Sequence, residues 1–87
     1  MLSEKIKIMI PSGLQARPVA VLVQVASQYD SNIYVQYEEK RVNAKSIMGM
    51  MSLGLSAGEE VTVTANGEDE AEAMKHIEQY LSEPQQV

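Results

Sequence analysis

The chain has no cysteine and one histidine, His76. Without cysteine there is neither a disulfide framework nor a thiolate metal site. His76 stands in no H-E-x-x-H arrangement, so that zinc-hydrolase pattern is excluded too. No apolar run reaches the roughly 18 residues that a membrane helix needs. The N-terminus, MLSEKIKIMIPSG, alternates charge with apolar side chains where a signal peptide has a basic start and an unbroken apolar stretch. A soluble, cytoplasmic protein is expected, without a membrane partner. Positive charge is also scarce: 7 Lys and Arg stand against 12 Asp and Glu, a net charge of -5. The signs cancel up to Asn66, and the excess lies beyond Gly67 in Glu68, Asp69, Glu70, Glu72, Glu78 and Glu83 against Lys75. No basic cluster or series of stacking aromatics offsets this, so direct nucleic-acid binding is not expected. Internal repeats, low-complexity linkers, a Gly-rich phosphate loop and a nucleophile with a base beside it are all missing.

What is present suits one small folded domain over residues 1–87. Hydrophobic residues make up 45% and charged ones 22%, close to globular averages. A chain this short buries only about 60 to 65% of its extended surface, so the core is thin. In EKIKIMI, Ile6, Ile8 and Ile10 alternate with Lys5, Lys7 and Met9, the period of a half-buried strand. Pro11, Ser12 and Gly13 break it. From Gln15 to about Tyr29, Ala16, Val19, Ala20, Val23 and Ala26 recur at helical spacing, with Pro18 in the first turn. Ile33, Val35 and Tyr37 predict a second strand, joined through Glu38 and Glu39 to a third at Lys40, Arg41 and Val42. Glu-Glu is a poor match to the Asn-Gly or Asp-Gly that such a turn prefers. Ser46 is a candidate N-cap for a short helix of about two turns through Met51. Val61, Val63 and Ala65 predict the fourth strand. Acidic residues then open a last helix with the stripe Ala73, Met74, Ile77 and Leu81, closed by Pro84. This βαββαβα order suits an α+β fold, an open-faced β-sandwich with a four-stranded antiparallel sheet and three helices on one face.

Two segments are candidates for chemistry. SGLQARP puts a glycine, a helix start and Arg17 together, and helix-start amides with an arginine suit an anion. The same residues also suit a plain turn, a helix start and a solvated arginine. In VNAKSIMGMMSLG, Ser46 sits beside Lys45 and before an uncharged apolar run. It reads either as a capped helix packing its methionines inward or as a docking face switched by phosphate on the serine. His76 is out of register with the last apolar stripe, and solvent is its expected surroundings. The acidic group from Glu68 to Glu72 lacks the spacing of a calcium loop and is explained by helix-start electrostatics. No metal, cofactor or catalytic residue is assigned.

Together, SGLQARPVAVLVQVAS and NAKSIMGMMSLGLSAGEEV resemble the HPr family of sugar phosphotransferase phosphocarriers. The resemblance runs nearly end to end and implies the same open-faced fold. Family members carry a histidine in a G-[IL]-H-A-R-P motif that takes phosphate from enzyme I and passes it to sugar permease components. This chain has Gln15 there. A glutamine amide nitrogen, its lone pair delocalised into the carbonyl, cannot accept a phosphoryl group. Family members with glutamine at this place and serine in a K-S-I-M-G motif act in carbon catabolite control in bacilli. By that resemblance Ser46 is phosphorylated by HPr kinase/phosphorylase, and the phosphoprotein is corepressor for a LacI-type regulator. Gln15 and Arg17 border the partner surface, and Ile47, Met48 and Met51 supply its apolar contacts. The alternatives are a sugar-system phosphocarrier, which Gln15 opposes, and a small acylphosphatase-like hydrolase using Arg17. A monomer and a homodimer that exchanges its first strand about Pro11 to Gly13 both fit.

Overall fold

The computed structural model describes residues 1–11 and 13–82. The elements run β1 (Leu2–Lys7), α1 (Ala16–Ser27), β2 (Asn32–Tyr37), β3 (Lys40–Asn43), α2 (Ile47–Met51), β4 (Glu60–Asn66) and α3 (Glu70–Ser82). The strands form one antiparallel sheet in the order β1-β4-β2-β3. This is the open-faced α+β architecture expected from the sequence.

Alternation puts Ile6, Ile33, Val35, Val61, Val63 and Ala65 under the helices, where all are buried. Against them pack Val19, Leu22, Val23 and Ala26 of α1 and Ala73, Met74, Ile77 and Leu81 of α3. At about 25 cal/mol per Å² of apolar surface, this burial is the main favourable term in folding. The stripe expected for α1 needs correction. Ala16 is exposed and Ala20 half-buried, whereas Leu22 and Val25 belong to the core. The reason is that α1 packs on both α3 and α2, so its buried arc is wider than a single stripe.

The first strand also begins earlier and ends sooner than its alternation suggests. It pairs with β4 from Leu2 opposite Ala65 to Lys7 opposite Glu60. Ile8 and Ile10 are buried although they lie beyond the strand. Ile8 N donates to Glu59 O at 2.8 Å, Gly58 N to Ile8 O at 2.7 Å and Met9 N to Leu81 O at 2.7 Å, which keeps the period going. The position of Pro84, expected to close α3, lies outside the described residues.

Two joints set the helix starts. Gly13 has φ +70°, and a Cβ there would stand 2.6 Å from the carbonyl oxygen of Leu55, so both backbone shape and close approach call for glycine. At the other joint, the Asp69 carboxylate accepts from Asp30 N at 2.8 Å, Ser31 N at 3.0 Å and the Ser31 hydroxyl. These bonds, that from the Ser31 hydroxyl foremost, hold the Asp69 carboxyl below the usual carboxylate range. Asp69 therefore ties the start of α3 to the α1–β2 connection.

Candidate functional site

The chain reaches α1 through a pinned approach: Gly13 N donates to Ile10 O at 2.8 Å and Leu14 N to Leu55 O at 2.9 Å, with Leu14 buried. Gln15 is the N-cap, with extended backbone and no side-chain capping bond. Its carboxamide is exposed, and no acidic residue lies in the first turn of α1. Arg17, two residues further on, is exposed, and its side chain makes no hydrogen bond or ion pair with the described residues. The start of α1 is thus uncapped by side chains, with a guanidinium beside it.

The Ser46 segment is held on every side. Ala44 is buried and its N donates to Ile33 O at 2.9 Å, while Ser46 N donates to Asn43 O at 3.0 Å. Asn43 Oδ1 accepts Lys45 N at 2.8 Å, and Lys45 Nζ donates to Tyr29 O, just past the end of α1, at 2.7 Å. Ser46 has the extended backbone of an N-cap, and its Oγ accepts Gly49 N at 3.1 Å. The expected cap is therefore present, on a helix shorter than two turns. Only Met50 of α2 turns inward and is fully buried. Met48 is 85% exposed, Ile47 52% and Met51 43%. An inward packing of all the methionines is ruled out by this geometry.

Because α2 packs against α1, and Leu55 beyond α2 receives Leu14 before α1, the two motifs adjoin in the fold. Gln15, Arg17, Ile47, Met48 and Met51 are all exposed, and Ser46 is half-buried at the edge of the apolar group. That arrangement can present a hydroxyl, a cation and an apolar patch to a partner. Among the described residues, no carboxylate or imidazole is hydrogen-bonded to Ser46 Oγ to serve as its base. A depression of about 440 Å³ lies at the β2–β3 turn, lined by Tyr37, Glu38, Glu39, Lys40 and Leu53. Among the described residues, no group of three or more metal-ligating side chains comes together, and no helix is long and apolar enough to cross a membrane.

The structure corrects the expectation for His76. It is half-buried, its Nδ1 lies 2.8 Å from the Tyr29 hydroxyl, and the two rings meet edge to face with centroids 5.9 Å apart. Helical register placed it off the apolar stripe correctly, but could not show that the end of α1 reaches across to it.

A sheet of order β1-β4-β2-β3 beneath three helices, with SGLQARP opening one helix and a capped serine opening the next, defines an HPr-type protein. A family model described as "PTS HPr component phosphorylation site" matches residues 2–83, and the chain belongs to the HPr family. It is similar to the HPr-like protein Crh of Bacillus subtilis (strain 168), at 47% identity over 83 residues, 95% of this chain and 98% of that protein. The crystal structure of the phosphocarrier protein HPr from Bacillus anthracis str. Ames superposes with a TM-score of 0.91 at 38% identity, covering 93% of this chain and 96% of that one. Selenomethionyl Crh of Bacillus subtilis, described as a dimer with a swapped domain, gives 0.74 at 48% identity, covering 92% of both chains.

Proposed function

We propose that this chain is a regulatory HPr-like protein of carbon catabolite control, acting in the cytoplasm as a single domain over residues 1–87 and without enzymatic activity of its own. HPr kinase/phosphorylase transfers the γ-phosphoryl group of ATP to Ser46 Oγ, releasing ADP and the hydroxyl proton. The phosphoprotein then binds a LacI-type catabolite-control repressor as corepressor, so that its effect on genes is indirect. The observation that carries this reading is the pairing of Gln15, at the family's acceptor place, with Ser46 beside the exposed Ile47, Met48 and Met51.

Each part has a physical role. A phosphoserine carries a charge of about -1.5 to -2 and three strong acceptor oxygens, which suits an arginine on a partner. The apolar side chains add area that is removed from water on contact. Arg17 and Gln15 border the same surface and select for it. Gln15 denies the chain the phosphocarrier role, since its amide nitrogen is not a nucleophile.

A homodimer fits the same reading. Crh of Bacillus subtilis is described as a swapped dimer, and here β1 is an edge strand followed by Pro11 and Gly13. Light scattering after size exclusion distinguishes dimer from monomer.

Intact mass with fragment localisation tests the main proposal, after separate incubation with HPr kinase/phosphorylase plus ATP and with enzyme I plus phosphoenolpyruvate. One phosphate on Ser46 from the kinase and none from enzyme I is expected. Phosphate from enzyme I instead makes the chain a phosphocarrier, and phosphate from neither reduces the kinship to fold alone.

A further inference from the structure

The helices cover one face of the sheet, and the strand registers order the side chains on the other. Lys5 pairs with Thr62, Thr62 with Gln36 and Gln36 with Arg41, one row running across β1, β4, β2 and β3. Ser3, Thr64, Tyr34 and Asn43 make the next row, and Lys7 stands opposite Glu60. Since successive strand residues point to opposite faces and Val35, Val61 and Val63 point into the core, these rows point outward.

This face has a charge opposite to that of the chain. Among the described residues of its strands, Lys5, Lys7 and Arg41 stand against Glu60, in a chain of net charge -5. None of the three cations is in an ion pair with a described residue, and all are exposed. The Arg41 guanidinium lies 4.2 Å from the centroid of the Tyr34 ring. Stacking steadies it and leaves its N–H edges to donate to a planar, bidentate acceptor. Lys5 and Arg41 end one row three strand spacings apart, about 14 Å between backbones.

We propose that the outer face of the sheet is a docking surface for an acidic protein partner, whose carboxylates pair with Lys5 and Arg41 at the two ends of this row. Charge complementarity and the guanidinium fork favour carboxylates. Arg41 occupies a face of Tyr34, the sole aromatic in the two rows, so a nucleic acid finds little to stack on. A second copy meeting face to face brings cation against cation. The surface lies across the sheet from the helices, so a partner there leaves Gln15, Ser46 and Met48 uncovered. The proposal stands apart from the reading of Ser46.

Titration of the isotope-labelled full chain with an oligoglutamate peptide at low ionic strength tests it by amide chemical shifts. Shifts are expected at Lys5, Tyr34, Gln36, Arg41, Thr62 and their neighbours. The double reversal Lys5→Glu with Arg41→Glu weakens binding by about tenfold or more, and the milder Lys5→Gln with Arg41→Gln weakens it in the same direction. Lys75→Glu, on α3, leaves it unchanged. Shifts centred elsewhere, no shifts at low-millimolar peptide, or equal affinity in a double variant with a native spectrum overturn the proposal. So does tighter binding at this face by a single-stranded oligonucleotide of equal charge.

Discussion

The hydroxyl of Ser46 accepts the amide of Gly49 at 3.1 Å, so the oxygen proposed to carry phosphate is also the cap of α2. Ser46→Ala removes the cap, and its expected cost is about 1 kcal/mol, within the 0.5 to 2 typical of N-cap loss. Aspartate caps about as well as serine, so Ser46→Asp stays close to the parent in denaturant unfolding. It brings one charge and too few oxygens, however, and should give only part of the repressor affinity of the phosphoprotein. Equal midpoints for parent and Ser46→Ala, with equal slopes, mean that the cap contributes nothing.

Gln15→His tests whether the acceptor alone separates this chain from a carrier. Gln15 is exposed and makes no capping bond, so the substitution is expected to change stability by less than about 0.5 kcal/mol. It should allow labelling by enzyme I and phosphoenolpyruvate, where the parent remains unlabelled. A folded Gln15→His chain that takes no label shows that the surface for enzyme I has diverged as well.

Asp69 predicts how the fold responds to acid. Its carboxyl is held below the usual carboxylate range, first by the Ser31 hydroxyl and then by the Asp30 amide. A group whose pKa is lower in the folded state stabilises the fold above its unfolded pKa, and that contribution is lost as pH falls through the folded value. Glu70, held down by the N-terminal ammonium of Met1 at 2.9 Å and by Gly67 N, acts in the same sense. Asp69→Asn should therefore be less stable than the parent at neutral pH, and the difference should shrink below about pH 4. Thermal melts across pH 2 to 7, with roughly unit steps, measure this. A constant difference across that range contradicts it.

Local pattern carried the strands well. Ile33 with Val35, and Val61 with Val63 and Ala65, declare their buried face by alternation alone. Ser46 declares α2 because an N-cap is a local device. The missing parts depend on contacts between distant elements. Leu22 and Val25 are buried because a second helix covers α1, Tyr29 meets His76 across helices, and Asp69 reaches Asp30 and Ser31 across a loop. The strand order β1-β4-β2-β3 has no signature in any one strand's period. At the candidate site, spacing alone does not separate a ligand-binding arginine from a solvated Arg17. The resemblance singled it out, and the fold then put its helix beside α2.

The turn between β2 and β3 is where residue type and backbone conflict. Tyr37 pairs with Lys40, leaving Glu38 and Glu39 as a two-residue connection, and Glu38 has φ +55°. The left-handed region costs an ordinary side chain roughly 1 to 2 kcal/mol, because Cβ approaches the following carbonyl oxygen. Glycine adopts it freely, and asparagine with less strain than glutamate. Relief of this strain should outweigh the extra freedom that glycine gives the unfolded chain, so Glu38→Gly is expected to stabilise by about 0.5 to 1 kcal/mol. Glu38→Asn should act in the same direction. The bond from Gln36 Nε2 to Glu38 O, at 3.2 Å, uses backbone at residue 38 and survives both changes. Denaturant unfolding of the three chains measures the effect. A loss of stability in both variants shows that the Glu38 side chain does something at the turn that outweighs its strained backbone.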